Sequence, residues 1–420
     1  MTALRAGCFT RRSFLATVGL GAARLCSHRS RAVAATAGTE NQGSSRGDLD
    51  AFVRARMESA HVPGLSLAII RDGKLLRATG FGFSNLAQQR PMRADTLINV
   101  GSVTKTATCI AVMQLWEQKK FALDGDVNAY LSFPVRNVAH PSDSVTFRQL
   151  LTHTSSIADG PAYDTSYACG DSRVPLGRWL RDYLTAGGAL YDRNNFHPWK
   201  PGMQFEYSNV AYGLLGYLVE TLSGMSYSDY MLSRVFAPLG MSRSRILLAG
   251  MDPESHATPY TYTANKGDFA SVTLRDPVWT PPADQSGGVQ VPHCLYSWAT
   301  PPDGLARTSA VELSRMLQAF MNRGEIDGQR VLRARTIVQI LSDQHVAFAA
   351  TQKNPHVQGL TWRVYRGLGT DVVWGHNGGD PGISTLVVFR PRDRRGAVVL
   401  MNSDEGSTTA AEIALRVLAQ

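Results

Sequence analysis

The chain has 420 residues, 44% of them hydrophobic and 18% charged, a balance typical of soluble globular proteins and long enough to bury a large core. Its formal charge of +9 is concentrated at one end: residues 1–34 hold six arginines (Arg5, Arg11, Arg12, Arg24, Arg29, Arg31) and no acid. The rest carries 37 basic against 34 acidic residues with no basic stripe interleaved with aromatics, which excludes nucleic acid as a partner.

Residues 1–34 have the pattern of an export signal. "TRRSFLATVGLGAA" sets Arg11–Arg12 before a short apolar run, and "AVAA" (Ala32 to Ala35) offers a cleavage site after Ala34. The paired arginines resemble the bacterial twin-arginine (Tat) signal, so the expected destination is the periplasm or the exterior. The apolar run Phe14–Ala23 is about half of what a spanning helix needs, and no later stretch is long and apolar enough to span a membrane. Residues 35–47, small and polar, read as a linker.

"DLDAFVRARMESA" then predicts an amphipathic helix capped by Asp48. "GLSLAIIRDGKLLRATGFG" predicts a hairpin about Asp72–Gly73. A helix starting near Ser102 follows, and "FALDGDVNAYL" reads as a turn with a short helix. From 146 to 304 the chain changes character. It holds helical pieces such as "VAYGLLGYLVETLSG", ending at Gly224, and a long irregular stretch, 252–304, rich in proline and aromatics. A loop of that length is expected to wall a site, with Trp279, Tyr296 and Trp298 shaping it.

A helix returns at "SAVELSRMLQAFMNRG", where Ser309 and Glu312 have capping-box spacing. Four β-rich runs close the chain ("TWRVYRG", "DVVWGHNGG", "STLVVFRP", "GAVVLMN"), then a last helix, "TAAEIALRVLAQ". Strands this closely spaced form an antiparallel sheet, and the N-terminal hairpin is expected to join it. The organisation expected is an α/β sheet domain from 48–145 and 305–420, with a mainly helical lobe at 146–304.

Of the five cysteines, Cys8 and Cys26 fall in the signal and Cys109 in an apolar helix. Cys169 and Cys294 could pair in an oxidising compartment, which sequence alone leaves open.

Three short segments carry candidate chemistry. In "VGSVTKTATC" (100–109), Ser102 and Lys105 stand three apart and so share a helix face, heading an apolar run. Of the seven lysines, Lys105 alone has a serine three places before it. A lysine in an apolar interior is pushed towards the neutral amine, which can take a proton from a hydroxyl and make it a nucleophile. "FEYSNVAYG" places Tyr207 and Asn209 before an apolar helix. A tyrosine near a lysine can act as base and then acid, and an amide can hold both lysine and a substrate carbonyl. "WGHNGGDPG" joins a strand to a glycine-rich turn, with His376, Gly378 and Gly379 where a backbone N–H could approach a ligand. Amides of Ser102 and Gly379 would then form an oxyanion hole.

"GSSRG" (43–47) matches G-x-S-x-G but lies in the linker without a preceding strand. No HExxH, CxxC pair, P-loop or dinucleotide-binding context occurs, so neither metal nor nucleotide cofactor is expected.

The order S-x-x-K, Y-x-N, [HK]-x-G ("SVTK", "YSN", "HNG") resembles the penicillin-recognising serine hydrolases. "FRQLLTHTS" (147–155) resembles that family's LLTHTSG segment, "PDGLARTSAVELSRML" (302–317) its GGL-STA-DL-RF segment, and "FAPLGM" (236–241) a further landmark. The likeness covers about residue 50 to the end. It is greatest to the branch of class C β-lactamases, family VIII esterases, D-amino-acid peptidases and peptidoglycan carboxypeptidases.

The resemblance implies a sheet with helices on both faces, a mainly helical lobe, and a site between them. It implies that Ser102 is acylated, Lys105 and Tyr207 move protons, Asn209 positions substrate, and His376, Gly378 and Gly379 line the opposite wall. The implied substrates are small esters, D-amino-acid peptides or β-lactams, with peptidoglycan fragments among the partners. Class C β-lactamases carry lysine where His376 stands, and Ser156 replaces the glycine after LLTHTS; His153 in that segment is expected to be structural. A neutral histidine grips a carboxylate poorly, which favours ester or D-amino-acid substrates over antibiotics. The alternatives are a working β-lactamase or carboxypeptidase, and a catalytically silent wall-binding homologue.

Overall fold

The computed structural model describes residues 42–264, 267, 269, 272–347, 357–365, 368 and 371–420, with 42–46 as backbone only. The export signal, with Cys8 and Cys26, therefore lies outside the described residues. The chain divides into two units, Met1–Ala51 and Phe52–Gln420. Helix α1 runs Gln42–Ser59. It thus starts inside the stretch read as a linker, and Asp48 lies within it rather than at its cap. Gly and Ser lower helix propensity by at most about 1 kcal/mol per residue, too little to set a boundary.

The larger unit is organised around a seven-stranded sheet. Its strands are β1 (Gly64–Arg71), β2 (Lys74–Asn85), β3 (Arg90–Pro91), β4 (Arg363–Val364), β5 (Trp374–Asp380), β6 (Ile383–Arg390) and β7 (Arg395–Met401). Their order is β4-β5-β6-β7-β1-β2-β3, and every neighbouring pair is antiparallel. The hairpin from the start of the chain adds to the C-terminal strands through β1 on β7, with Ala68 opposite Val398.

Runs such as "GLSLAII" are apolar at nearly every position because both faces of the sheet are covered. Seven of the eight β1 residues are buried. Helix α4 (Ala310–Met321) packs on β1, β2 and β7, and α5 (Ser407–Ala419) on β6 and β7. One apolar core links alternate sheet residues (Ala68, Ile70, Val387, Phe389, Val398, Leu400) to Leu317 and Phe320 of α4. It continues into α2 (Thr104–Glu117) and α3 (Asn209–Ser223), which pack on each other.

Local signals mostly hold. Ser208 caps α3 by accepting from the amide of Ala211, and Gly224 ends that helix at φ +72°, a left-handed conformation suited to glycine. Ser309 accepts from the Glu312 amide, but the capping box is not reciprocal. The Glu312 carboxylate instead accepts from the Arg243 amide and the Ser244 hydroxyl, tying α4 to that loop. The stretch 252–304 is not irregular throughout: Tyr260–Thr263 pairs with Val289–Pro292 as a hairpin.

Cys169 and Cys294 form a disulfide across a sequence separation of 125 residues, beside the pairing of Ala168–Cys169 with Tyr296–Ser297. Closing so long a loop restricts the unfolded chain strongly. Cys294→Ser is expected to lower unfolding stability by about 2–5 kcal/mol, read from denaturant midpoints under non-reducing conditions. An unchanged midpoint would mean that the bond adds nothing to the fold.

Candidate functional site

The three segments singled out above meet at one point. Ser102 lies in a 3₁₀ turn (Gly101–Val103) just ahead of α2, rather than at the α-helical cap itself. The turn is held from several sides. The Gly101 amide donates to Asn99 Oδ1 (2.9 Å), the Val100 amide to the Ala306 carbonyl (3.0 Å), and the Thr385 hydroxyl to the Val100 carbonyl (2.8 Å).

Lys105, one helical turn on, is completely buried. Its Nζ lies 3.1 Å from Ser102 Oγ, 2.7 Å from Asn209 Oδ1 and 2.6 Å from the carbonyl oxygen of Asp303. Removing an ammonium or amine from water costs several kcal/mol unless its hydrogen bonds are replaced. Three oxygens from three separate elements do so here.

Tyr207 packs against the same lysine, with Nζ 4.9 Å from its ring centroid. The Tyr207 hydroxyl is buried and makes no hydrogen bond among the described residues, so the phenol is adjacent to the pair but not bonded to it. His153 stacks on Tyr207 at 4.2 Å. Its Nδ1 accepts from the Ser208 amide (3.1 Å), which leaves the proton of a neutral ring on Nε2. Burial, then the charge of Lys105, holds its pKa well below 6.5.

Strand β5 forms the opposite wall. A side chain at Gly378 would meet the Val100 carbonyl at 2.2 Å and the Ser102 amide nitrogen at 3.1 Å, so only glycine lets the strand pass this close. Gly101, at φ +53°, is the matching constraint on the other side, since a Cβ there would lie 3.0 Å from the Gly379 nitrogen and 2.9 Å from Asp380 Oδ2. The amides of Ser102 and Gly379 are thereby brought to adjoining backbones.

His376 is buried, with Nδ1 2.7 Å from the Asn377 carbonyl. Burial, then Arg363, then Lys105 push its pKa well below 6.5, so the ring is neutral at neutral pH. The histidine therefore brings no charge of its own, but a cation stands beside it. Arg363 on β4 donates to Asn377 Oδ1 (2.8 Å), which also accepts from the Tyr365 hydroxyl (2.9 Å).

Three residues that sequence reasoning missed complete the arrangement. Asp303 supplies the carbonyl that holds Lys105. Its buried carboxylate accepts from Tyr163 Oη (2.5 Å), Trp298 Nε1 (2.8 Å) and Thr300 Oγ1 (2.9 Å). Burial raises its pKa, against the lowering effect of Lys105. Asp159 holds the back of Asn209, and Arg363 adds the charge. The available signals were an acid in "PDGL" where the resembled segment has glycine, and an arginine on the strand flanking the H-x-G strand. Of the aromatics expected to wall the site, Trp298 does border it, bonded to Asp303 and stacked on Tyr167 at 4.6 Å, and Tyr296 lies beyond. Trp279 packs elsewhere, against Phe269 in a satellite cluster. Among the described residues no His, Cys, Asp or Glu group is disposed to hold a metal ion.

A family model described as Beta-lactamase matches residues 49–420. The chain is 23% identical over 360 residues to Protein flp of Staphylococcus aureus (strain N315), covering 85% of this chain and 63% of that protein. It thus spans less than two-thirds of the length of such curated relatives. Among solved structures, the octameric penicillin-binding protein homologue from Pyrococcus abyssi aligns with TM-score 0.70 at 26% identity, covering 89% of this chain and 76% of the other. A D-alanine carboxypeptidase AmpC from Burkholderia cenocepacia aligns with TM-score 0.66 at 23% identity, covering 90% of this chain and 99% of the other.

Two outcomes follow from this geometry. Gly101→Ala is expected to cost about 1–3 kcal/mol of stability and to slow modification of Ser102 by a fluorophosphonate about a hundredfold, by forcing β5 from the turn. A wild-type rate would show that the two backbones can separate freely. The His376 pKa is depressed in the folded state, so its neutral ring adds stability above 6.5 that is lost as pH falls below it. His376→Asn should therefore leave the shape of the pH–rate profile unchanged between about pH 6 and 8, whereas loss of an inflection in that range would show that the imidazole titrates there.

Proposed function

The chain belongs to the beta-lactamase family, and on that premise we propose that it is a serine hydrolase that forms an acyl-enzyme on Ser102. The observation that carries this reading is Ser102 Oγ lying 3.1 Å from the Nζ of a lysine with no exposure to solvent. Ser102 Oγ attacks the substrate carbonyl carbon while its proton passes to Lys105 Nζ. Tyr207, whose buried hydroxyl has no partner among the described residues, relays a proton to the leaving group. Asn209 holds Lys105 and receives the substrate carbonyl side. The developing oxyanion sits between the Ser102 and Gly379 amides, where each donor is worth about 3 kcal/mol. Water then attacks the ester on Ser102 by the reverse proton path, freeing the acid.

The proposed substrates are esters, or amide and peptide bonds beside a D-amino acid. A neutral His376 cannot itself grip a carboxylate as a lysine ammonium would, which supports neutral esters as the first class. Arg363, beside Asn377, favours substrates that carry a carboxylate near the scissile bond. A peptidoglycan stem ending in a D-amino acid has that character, and carboxypeptidase activity is the second reading which this guanidinium supports. We also propose export, supported by the twin-arginine segment and by a disulfide that suits an oxidising compartment.

A fluorophosphonate is expected to attach to Ser102, found by peptide mass spectrometry, and Ser102→Ala to abolish the adduct. An intact wild-type protein that resists the reagent and leaves every ester, D-alanyl amide and cephalosporin uncleaved would replace this reading with the silent homologue. Arg363→Ala is expected to raise KM for carboxylate-bearing substrates about 10- to 100-fold and leave neutral short-chain esters unaffected. Equal effects on both would remove Arg363 from substrate recognition.

A further inference from the structure

Lys105 keeps its geometry only if Asn209 presents its carbonyl oxygen rather than its amide nitrogen. The two ends of an asparagine amide have the same shape and opposite hydrogen-bonding character, so something must decide which faces the lysine. Asp159 does this. Its Oδ2 accepts from Asn209 Nδ2 at 2.9 Å, which leaves the Asn209 Oδ1 pointing at Lys105 Nζ at 2.7 Å.

The same carboxylate accepts from the backbone amides of Asn209 (2.8 Å to Oδ1, 2.9 Å to Oδ2) and Val210 (3.0 Å) and from the Ser208 hydroxyl (3.1 Å). Asp159 is exposed to solvent, yet both of its oxygens are committed to the first residues of α3. An acid here also meets the positive end of the α3 dipole, which strengthens its hold.

We propose that Asp159 is the positioning residue that fixes the Asn209 amide, and through it Lys105, in the orientation needed to activate Ser102. The inference rests on the serine-hydrolase reading above and deepens it. The alternative role for Asp159 is only to cap α3.

Asp159→Asn separates the two. The new side chain can still accept from the Asn209 and Val210 amides through its carbonyl oxygen, so a cap survives. Its amide nitrogen, however, now faces Asn209 Nδ2, donor against donor. Asn209 relieves this by turning over, which puts N–H groups against Lys105 Nζ. That takes one acceptor from the lysine and disfavours its ammonium form.

The test follows fluorophosphonate labelling of Ser102 across pH in the full chain, with thermal melts of each variant. Asp159→Asn is expected to slow labelling about 10- to 100-fold throughout the pH range, by more than any loss in its melt accounts for. Ser208→Ala removes the hydroxyl that caps α3 on the Ala211 amide but leaves the Asp159 oxygens on Asn209, and is expected to lower the melt while labelling close to the wild-type rate. An Asp159→Asn variant that labels like wild type, or a Ser208→Ala variant slowed as much as Asp159→Asn, overturns the proposal. Should Asp159→Asn fail to fold, Asp159→Ala, which takes the acceptor from Asn209 Nδ2 without setting a donor against it, carries the comparison: slowed labelling is expected, and a wild-type rate overturns the proposal. Failure of wild type itself to label would instead sink the assignment of Ser102, which is a separate result.

Discussion

The arrangement depends on burying one lysine amine without leaving it unbonded. Lys105 has no exposure to solvent, and its nitrogen is met by a hydroxyl one turn back along the chain, a side-chain amide from the start of α3, and a carbonyl from the turn at 301–304. These elements are far apart in sequence. An uncompensated amine or ammonium there would be strongly destabilising, so the packing of α2 on α3 and on that turn is coupled to the site. The carboxylate of Asp303, bonded to Tyr163, Trp298 and Thr300, fixes the orientation of its own carbonyl. Asp159 does the same for the amide of Asn209. Both anions act on the lysine through a neutral dipole, which orients an acceptor without placing a carboxylate oxygen on Nζ.

The second constraint is how closely two backbones approach. The Ser102 turn and β5 touch through Gly101 and Gly378, at a separation that a side chain at 378 would not tolerate and one at 101 would strain. Glycine costs stability within a strand, about 0.5–1 kcal/mol against alanine, and is retained where nothing larger fits. The wall so formed has an uneven distribution of charge. Its histidine is neutral because burial disfavours the charged ring and the Arg363 guanidinium, one strand over, adds to that. Charge and hydrogen bonding, which one lysine could provide together, are divided here between two strands.

Much of this was legible in the sequence because the informative signals were local. Apolar runs located α2, α3 and the C-terminal strands; the Ser309–Glu312 spacing marked the start of α4 and Gly224 the end of α3; and the S-x-x-K spacing brought Ser102 and Lys105 together. What was missed is non-local. Asp159 lies 50 residues from Asn209, and Asp303 lies 198 from Lys105, so no spacing rule connects them. Arg363 read as one polar residue in a short strand, since the pairing of β4 with β5 is a property of the sheet. Glu312 had capping-box spacing, but a tertiary partner at 243–244 claimed its carboxylate. Trp279 failed as a wall residue because aromatic content says that a loop packs, not against what.

The hydrogen-bond inventory around Nζ bears on how a proton could move. Asn209 Oδ1 and the Asp303 carbonyl can only accept, while the Ser102 hydroxyl can accept or donate. An ammonium satisfies all three oxygens with its three N–H groups. A neutral amine satisfies the two fixed acceptors with its two N–H groups and turns its lone pair to the serine O–H. Both protonation states are therefore fully bonded with no heavy atom displaced, so transfer from Ser102 to Lys105 needs little reorganisation. The fixed orientation of Asn209 is what makes this possible: with its amide reversed, the ammonium would lack an acceptor and the two states would no longer be matched. Tyr207 differs, because its hydroxyl has no partner among the described residues, and a group with unused bonding capacity is suited to receive a leaving atom that arrives only with substrate.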